Sequence, residues 1–421
     1  MNSKGKSNVK FIATLLTLGA CWATVYLVEL LQFTFYSDLR DFLHATNTQT
    51  GLLMSIFGLG NIFGCPVGGW LADKFNYKIL YVLSVALNGV FALVLAFFPS
   101  YGTAVFVYAG FAVATLLLNY PTHIKILRDL CTPENEGKIF GFNETFIGLF
   151  NIVISAIMMF VFGLFGAGVF GLKATIIANA LISFGLAALI WVLLPNPAKK
   201  AVKAEGEVKE KKNFFRDFLT IITRPATWLV AMTIFSLYTF RCTATYFTPF
   251  FADVVGVAAT SAGWMAIARN YGAQLVGAPF GGMLTDKLKS PSKVLIPVYI
   301  LGIVGLIYIM IPNKTVSVTM LNVIVLAVAL LIFIGRGAQY ATMGEAGVPV
   351  EISGSTIGVA AVIGFSPDVF QFALFGHWMD TYGNGAYNLM FIYQAVILAL
   401  GIVSALCIMR IGKKNRAAQN A

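Results

Sequence analysis

Long apolar runs follow one another along the whole chain and are separated by short polar stretches. About 20 apolar residues in a helix cross the hydrocarbon core of a bilayer, so each run is predicted to span a membrane. The first six predicted spans are 11–36, 48–72, 78–98, 101–126, 138–163 and 172–194. The second six are 225–251, 258–285, 293–311, 316–340, 352–377 and 385–410. The pattern therefore predicts an all-α membrane protein with twelve transmembrane helices.

One longer polar stretch, 196–224, divides these spans into two sets of six. It contains the charged run 199–212, which has the composition of a linker. We therefore predict an N-terminal six-helix bundle at 1–195 and a cytoplasmic linker at 196–224. A C-terminal six-helix bundle with a short cytoplasmic tail is predicted at 225–421.

An internal repeat relates the two predicted bundles. Residues 60–74 recur 213 positions later as 273–287, with seven of fifteen residues identical. A duplicated apolar segment that ends in a charged turn is typical of transporters built from two related halves. The repeat predicts that the two bundles are pseudo-symmetric.

Composition supports a bilayer as the solvent, because 58% of the residues are hydrophobic, 11% are charged, and the mean hydropathy is +0.81. The net charge of +11 would favour nucleic acid in a soluble protein. Here the basic residues lie in short loops, and with both termini inside, the cytoplasmic stretches hold 23 of the 29. This bias predicts cytoplasmic termini and no nucleic-acid partner.

The remaining sequence features exclude several classes of protein. The five cysteines and three histidines have no metal-ligand spacing or disulfide framework, so we expect no cofactor and no metal. Neither a phosphate loop nor a nucleophile elbow is present, which argues against an enzyme. The apolar run continues past Cys21, so we expect an uncleaved first helix rather than a lipoprotein leader. Compact loops and short tails favour a multi-pass protein of the bacterial inner membrane, with a eukaryotic membrane as the alternative.

Charged residues inside predicted spans are candidates for function because the bilayer disfavours them. Glu29 in the first span and Arg241 in the seventh occupy related positions of the repeat, close to mid-depth. Two interpretations remain open at this point: handling of substrate and proton, or a structural ion pair. Tyr26 and Tyr238 each stand three residues earlier and are candidate substrate-binding residues.

Polar amides form a second related pair, Asn61 and Gln274. Each lies twelve residues before the aspartate of the repeat, about 18 Å from the predicted cytoplasmic turn. They suit hydrogen bonding to a polar substrate or, equally, between helices. Arg269 lies further out in the eighth span and is a further candidate for substrate binding.

Two more carboxylates are candidate proton carriers. Asp368 follows Pro367 inside the eleventh span, where a proline weakens a helix that lines a cavity. Glu144 follows Lys138 closely and acts either in the cavity or at the membrane interface. The lone His377, near the outer end of the eleventh span, is interpreted as interfacial rather than as a relay.

The repeated turn resembles the signature G-x-L-a-D-[RK] of the major facilitator superfamily, at 69–74 and again at 282–287. The resemblance implies two six-helix bundles around a central cavity that opens alternately to each side. It also implies a cytoplasmic latch in which the glycines let helices pack closely. The implied gating residues are Gly69, Asp73, Lys74, Lys78, Gly282, Asp286 and Lys287. The pattern departs from the family at Asn76, where a glycine is common.

A weaker similarity points to the organophosphate antiporter and anion-symporter branches of the superfamily. The antiporters have a helix 7 Y-x-x-R, which this chain keeps at Tyr238 and Arg241. Glu29 stands where their helix 1 arginine would lie, and Phe146 where their helix 5 histidine would lie. One arginine facing a glutamate does not suit a dianionic phosphate, so a monoanion or zwitterion entering with a proton is favoured.

Three functional hypotheses follow. The first is proton-coupled symport of a small polar organic anion or zwitterion. The transporter would act as a monomer, with the substrate, protons and the lipid bilayer as its partners. The second is a proton-driven exporter of lipophilic cations or metabolites, in which Arg241 would be dispensable. The third is a sensor without flux, which would need a signalling domain in addition to the predicted spans, and we expect none.

Overall fold

The computed structural model describes residues 3–130, 136–195, 221–310 and 317–419. Within these ranges every regular element is a helix, in agreement with the predicted fold class. The predicted linker lies almost entirely outside the described residues, so its bounds stay a prediction.

The first predicted bundle consists of eight helices with a π-helical segment, Ala112–Asn119, between the fifth and sixth. The helices are α1 Ser3–Glu29, α2 Gln32–Phe42, α3 Asn47–Lys74, α4 Tyr77–Phe97, α5 Tyr101–Phe111, α6 Tyr120–Leu130, α7 Glu136–Leu164 and α8 Gly168–Leu193.

The second predicted bundle consists of ten helices, and its π-helical segment, Ala268–Gly272, lies in the eighth predicted span rather than at the position related to the first. Its helices are α9 Pro225–Thr245, α10 Phe247–Asp253, α11 Ala259–Ile267, α12 Ala273–Leu288, α13 Ser292–Met310, α14 Val318–Ala338, α15 Thr342–Glu345, α16 Val350–Gly364, α17 Pro367–Tyr382 and α18 Ala386–Gln419.

Most predicted spans match these helices to within a few residues, and the differences are breaks inside spans. By length and hydropathy, eight helical stretches of the described residues qualify as membrane spans. One of them, 358–415, joins the two spans predicted at 352–377 and 385–410. The break before α17 falls at Pro367, which has no N–H to continue the hydrogen bonding of α16.

The described residues form two compact units. The first combines 3–195 with 251–267 and 368–380, and the second combines 221–250, 268–367 and 381–419. A buried apolar cluster in the first unit includes Leu18, Tyr81 and Ile190. The core of the second unit includes Val230 and Ile408. Each unit therefore buries its own apolar side chains.

Close helix packing repeats between the two units at positions 213 residues apart. A Cβ atom on Gly68 of α3 would lie 2.0 Å from the carbonyl oxygen of Leu117. A Cβ atom on Gly281 of α12 would lie 2.0 Å from the carbonyl oxygen of Ile334. Glycine is required at both positions because the neighbouring backbone occupies the space of a side chain.

The resemblance led us to expect that the glycines of the signature itself permit this close packing. At Gly69 and Gly282, however, an added Cβ would meet no described atom within 4 Å. The close approach falls one residue earlier, because adjacent residues of a helix point about 100° apart.

A second close contact, the α3–α17 seam, lies within the first unit. A Cβ on Gly51 would lie 2.1 Å from the carbonyl oxygen of Phe372, and a Cβ on Gly376 would lie 2.1 Å from that of Asn47. At the end of the seam, Asp380 accepts hydrogen bonds from the backbone N–H of Asn47 (2.9 Å) and of Thr48 (2.8 Å). Asp380 therefore caps the N-terminus of α3 from another helix.

Candidate functional site

Glu29 ends α1 inside the first unit and is completely buried. Its Oε1 atom accepts hydrogen bonds from the Thr115 hydroxyl and from Asn88 Nδ2, the latter at 3.3 Å. Its Oε2 atom has no partner in the described part of the chain, and none of the basic side chains described there pairs with it. Because an unpaired buried carboxylate is costly, this site suits a carboxyl group that carries a proton.

The π-helical segment Ala112–Asn119 positions the Thr115 hydroxyl against Glu29. Pro121 lies four residues after Leu117 and cannot donate a hydrogen bond to its carbonyl oxygen, which favours the irregular winding before it. The proline is visible in the sequence, but the widened turn and its contact with Glu29 are not.

His123 is a buried polar residue that our sequence analysis did not select. Its Nδ1 atom lies 3.0 Å from the Tyr81 hydroxyl, and its Nε2 atom lies 3.2 Å from Asn143 Oδ1. The edge of its ring meets Trp22, with ring centroids 4.8 Å apart. No sequence pattern indicated this contact, because its partners come from three other helices.

Tyr26, a predicted substrate-binding residue, is partly buried and stacks on Trp22 with ring centroids 4.9 Å apart. It belongs to the same helix as Glu29 and lies one turn before it. An aromatic pair of this kind holds a hydroxyl group in a defined position.

Tyr238 and Arg241 are brought together on α9, with the guanidinium carbon 5.8 Å from the centre of the tyrosine ring. The Tyr238 ring also meets Phe365 edge-on at 4.7 Å. Arg336 at the end of α14 lies near enough to Arg241 for their positive charges to repel. Arg336 forms no ion pair within the described residues. The second unit therefore concentrates positive charge around Tyr238.

Arg269 lies in the π-helical segment Ala268–Gly272 and is only 2% exposed. One of its terminal nitrogens donates to the Thr248 hydroxyl at 2.7 Å, and its guanidinium lies 5.7 Å from the centre of the Phe247 ring. Its Nε atom has no acceptor among the described residues. A buried cation with an unused donor suits an anionic group.

The two amides selected from the repeat are only partly described. Gln274 is the second residue of α12 and is partly buried. The side chain of Asn61 lies outside the described part of the structure. Their roles remain predictions.

The other two predicted proton carriers differ in exposure. Asp368 begins the first turn of α17 and is buried, facing Gly58 of α3 within the first unit. Glu144 is exposed on α7. Asp368 therefore has the low-dielectric surroundings that the prediction needs, whereas Glu144 does not.

The predicted gating residues lie around the ends of α3 and α12. Lys74 lies 4.7 Å from the centre of the Trp70 ring, and the mostly buried Lys78 lies 4.9 Å from that of Trp191. Asp286 and Lys287 are exposed, and the side chain of Asp73 lies outside the described part.

Sequence analysis missed another residue at the end of α3. Lys125 of α6 donates to the backbone carbonyl of Ala72 at 2.5 Å. A cation at this end of a helix is favoured by the helix dipole.

Three features together define a membrane transporter of two related halves. They are helical bundles with buried charges, a duplicated glycine contact and a repeated charged turn. Residues 11–371 match the model of the Major Facilitator Superfamily. The chain therefore belongs to this superfamily and has its twelve-helix fold, which confirms the fold predicted from the sequence. It is a transporter rather than an enzyme.

Individual proteins resemble the chain over nearly its whole length. It is 29% identical over 407 residues to the inner membrane protein YihN of Escherichia coli (strain K12), covering 96% of each chain. A bacterial homologue of the human lysosomal transporter Spinster, in an inward-facing and unoccupied conformation, superposes with a TM-score of 0.72 at 17% identity, covering 98% of this chain and 99% of that one. A D-xylose-proton symporter gives the same TM-score at 13% identity, covering 96% and 98%. These two structures support the fold alone.

Proposed function

We propose that the protein is a secondary transporter that moves a small polar organic anion or zwitterion by alternating access, coupled to protons as a symporter. The observation that carries the substrate class is the cluster of Arg241, Arg336 and Tyr238 in the second unit. Two cations that repel each other are stabilised by an anion placed between them. Tyr238 would add a hydrogen bond to the same group.

Arg269 supplies a third cation, which is buried and has an unused Nε donor. A carboxylate or sulfonate fits such donors, and bidentate guanidinium contacts would orient it. Tyr26, Asn61 and Gln274 would bind the polar remainder of the substrate. We infer no phosphate exchange, because the helix 1 arginine of the organophosphate antiporters is replaced by Glu29.

Glu29 is the proposed proton carrier because it is buried beside neutral donors alone. Asp368 is the second candidate, and Glu144 is the weakest because it is exposed. Binding of a proton neutralises the carboxyl group before the cavity closes, and its release on the opposite side completes the cycle.

We further propose that the protein acts as a monomer in the bacterial inner membrane with both termini in the cytoplasm. The relative YihN is named an inner membrane protein, and the distribution of lysine and arginine favours this orientation. The repeated turns with Asp73 and Asp286 would then form the cytoplasmic latch.

Uptake into proteoliposomes tests the proposal. A panel of labelled sugar acids, sulfonates, carboxylates and phosphate esters is offered with and without an inward proton gradient. We expect accumulation of one anion class only with the gradient. In Glu29→Gln accumulation should be lost while exchange of labelled for unlabelled substrate persists.

Arginine variants identify the anion site in the same assay. Arg241→Gln and Arg336→Gln should each weaken uptake strongly, whereas Arg224→Gln, outside the cluster, serves as the control. Absence of anion flux together with proton-driven efflux of a cationic dye would refute the proposal and support the exporter.

A further inference from the structure

A column of buried polar side chains runs from Glu29 to His123 in the first unit. Asn88, Ser84 and Tyr81 follow one another along α4 at one-turn intervals, and all three are completely buried. Seven residues of helix separate Asn88 from Tyr81, about 10 Å along the helix axis. The column therefore extends from the middle of the unit toward the end at which α4 begins.

Hydrogen bonds join most members of this column. Asn88 binds Glu29, and Asn119 Nδ2 donates to Ser84 Oγ at 2.9 Å. Ser84 Oγ in turn donates to the backbone carbonyl of Tyr81 at 2.7 Å. The Asn119 side chain also approaches the Tyr81 hydroxyl, which contacts His123.

Three oxygen atoms along the column have no donor within the described residues: Glu29 Oε2, Asn88 Oδ1 and Asn119 Oδ1. Buried acceptors in native proteins are nearly always satisfied, and internal water molecules commonly do this with two to four hydrogen bonds each. These atoms thus provide acceptors for ordered water between the carboxyl group and Tyr81.

The hydrogen bonds around His123 fix its tautomer. Asn143 Oδ1 only accepts, so His123 Nε2 carries the hydrogen and donates it. Nδ1 is then the acceptor, and the Tyr81 hydroxyl donates to it. The carbonyl oxygen of Leu18, 3.4 Å from the same hydroxyl, offers a second acceptor. Tyr81 can therefore turn its hydrogen away when His123 Nδ1 becomes a donor.

The surroundings of His123 contain few competing charges. The titratable groups near it are Tyr81 on α4 and, beside that tyrosine, Cys21 and Tyr26 on α1. Trp22 covers the ring from α1, and Asn143 binds it from α7. None of the carboxylates or cations in the described ranges hydrogen bonds to the imidazole. A proton arriving at His123 would come through Tyr81.

We propose that His123 takes up the proton that Glu29 releases, through Tyr81 and the column between them. In this step the Glu29 O–H bond breaks and its proton passes to the first of a chain of bridging waters, each of which passes one proton to the next. The last water passes a proton to the Tyr81 oxygen, and the Tyr81 hydrogen moves to His123 Nδ1. The net change is a carboxylate and an imidazolium in place of two neutral groups, so charge is conserved. His123 is a relay residue that does not touch the substrate.

This inference rests on the proposed role of Glu29, but it assigns the route of the proton rather than its carrier. The end of the column at Tyr81 and His123 lies near Lys78 and the start of α7. The distribution of positive charges predicts that this end of the helices faces the cytoplasm. The proposed release is therefore toward the cytoplasm, the direction that symport into the cell requires.

Infrared spectroscopy of the protein in lipid tests the route without a substrate. After a jump from acidic to alkaline pH, the band of the protonated Glu29 carboxyl should decay, and Glu29→Gln should lack that band. The asparagine of His123→Asn can keep a hydrogen bond but cannot accept the proton. The decay should therefore slow by about a hundredfold, the lower end of the range for loss of a positioned proton-transfer group. The final spectrum should be unchanged.

Matched variants make the outcomes distinct. Tyr81→Phe interrupts the same route at another residue and should also slow the decay. His44→Asn is the control, because His44 is exposed and its φ of 50° suits asparagine. Unchanged decay in both route variants would overturn the relay and leave Glu29 as carrier. A carboxyl band that never titrates would refute the carrier as well.

Discussion

The duplicated glycine contact leads to a sharp prediction about Gly281→Ala. The new methyl group would lie 2.0 Å from the carbonyl oxygen of Ile334 and 2.8 Å from its carbonyl carbon. Real Cβ atoms essentially never approach another heavy atom within 3.0 Å, so α12 and α14 must separate by about 1 Å. The obstruction is backbone, which cannot rotate away as a side chain can.

The expected cost can be bounded. Overpacking of a close-packed contact destabilises a protein by about 1–3 kcal/mol. Gly282→Ala is the matched control, since its methyl group would meet no described atom within 4 Å. Alanine in an open helical position gains about 0.5–1 kcal/mol over glycine. Both variants share this gain, so they should differ by the overpacking cost alone, about 1–3 kcal/mol.

The assay is the fraction of purified protein that stays monodisperse after heating in detergent, followed by fluorescence-detected size exclusion. Gly281→Ala should lose the monodisperse peak at a lower temperature than the native chain, and Gly282→Ala should not. The related pair Gly68→Ala and Gly69→Ala should behave in the same way. Equal melting of the two members of each pair would show that the backbone contact is not limiting, which would refute the reasoning.

Two further predictions concern carboxylates outside the predicted spans. Burial, with repulsion from Asp41, raises the pKa of Asp38 from 3.8 to about 6. The folded state thus holds this proton more tightly, so stability should fall as the pH rises from 3.8 to about 6, and Asp38→Asn should abolish that dependence in melting curves. Asp380→Ala removes the cap of α3 and should cost about 0.5–2 kcal/mol in the same melting assay. Asp41→Asn, which breaks an exposed ion pair and relieves the repulsion on Asp38, should cost less, and an equal cost would contradict the capping role.

Much of the fold was predictable from hydropathy, because a bilayer imposes both the length and the apolar character of a span. The twelve predicted spans follow from this constraint, and the repeat at 60–74 and 273–287 indicated the duplicated architecture. The breaks were less predictable. Pro367 marked one of them, but the π-helical segment at Ala268–Gly272 has no proline to mark it.

The candidate site was predicted in part because intramembrane charges are rare. Glu29, Arg241 and Arg269 stood out in the sequence for that reason. The proximity of Arg336 to Arg241 and the hydrogen bond of His123 with Tyr81 depend on helix rotation and tilt, which hydropathy leaves undetermined. The same limit explains why the close glycine contact was expected one residue away, at Gly282 rather than Gly281.

The α3–α17 seam is lined by backbone, and this affects how it can open. Parting two surfaces of interlocked side chains requires each side chain to find new rotamers, and closing them again costs conformational entropy. Gly51 and Gly376 have no side-chain rotamers, so the two helices can separate and pack again in the same register without any search for new side-chain conformations. A backbone-lined contact of this kind suits a seam that separates and re-forms without side-chain rearrangement.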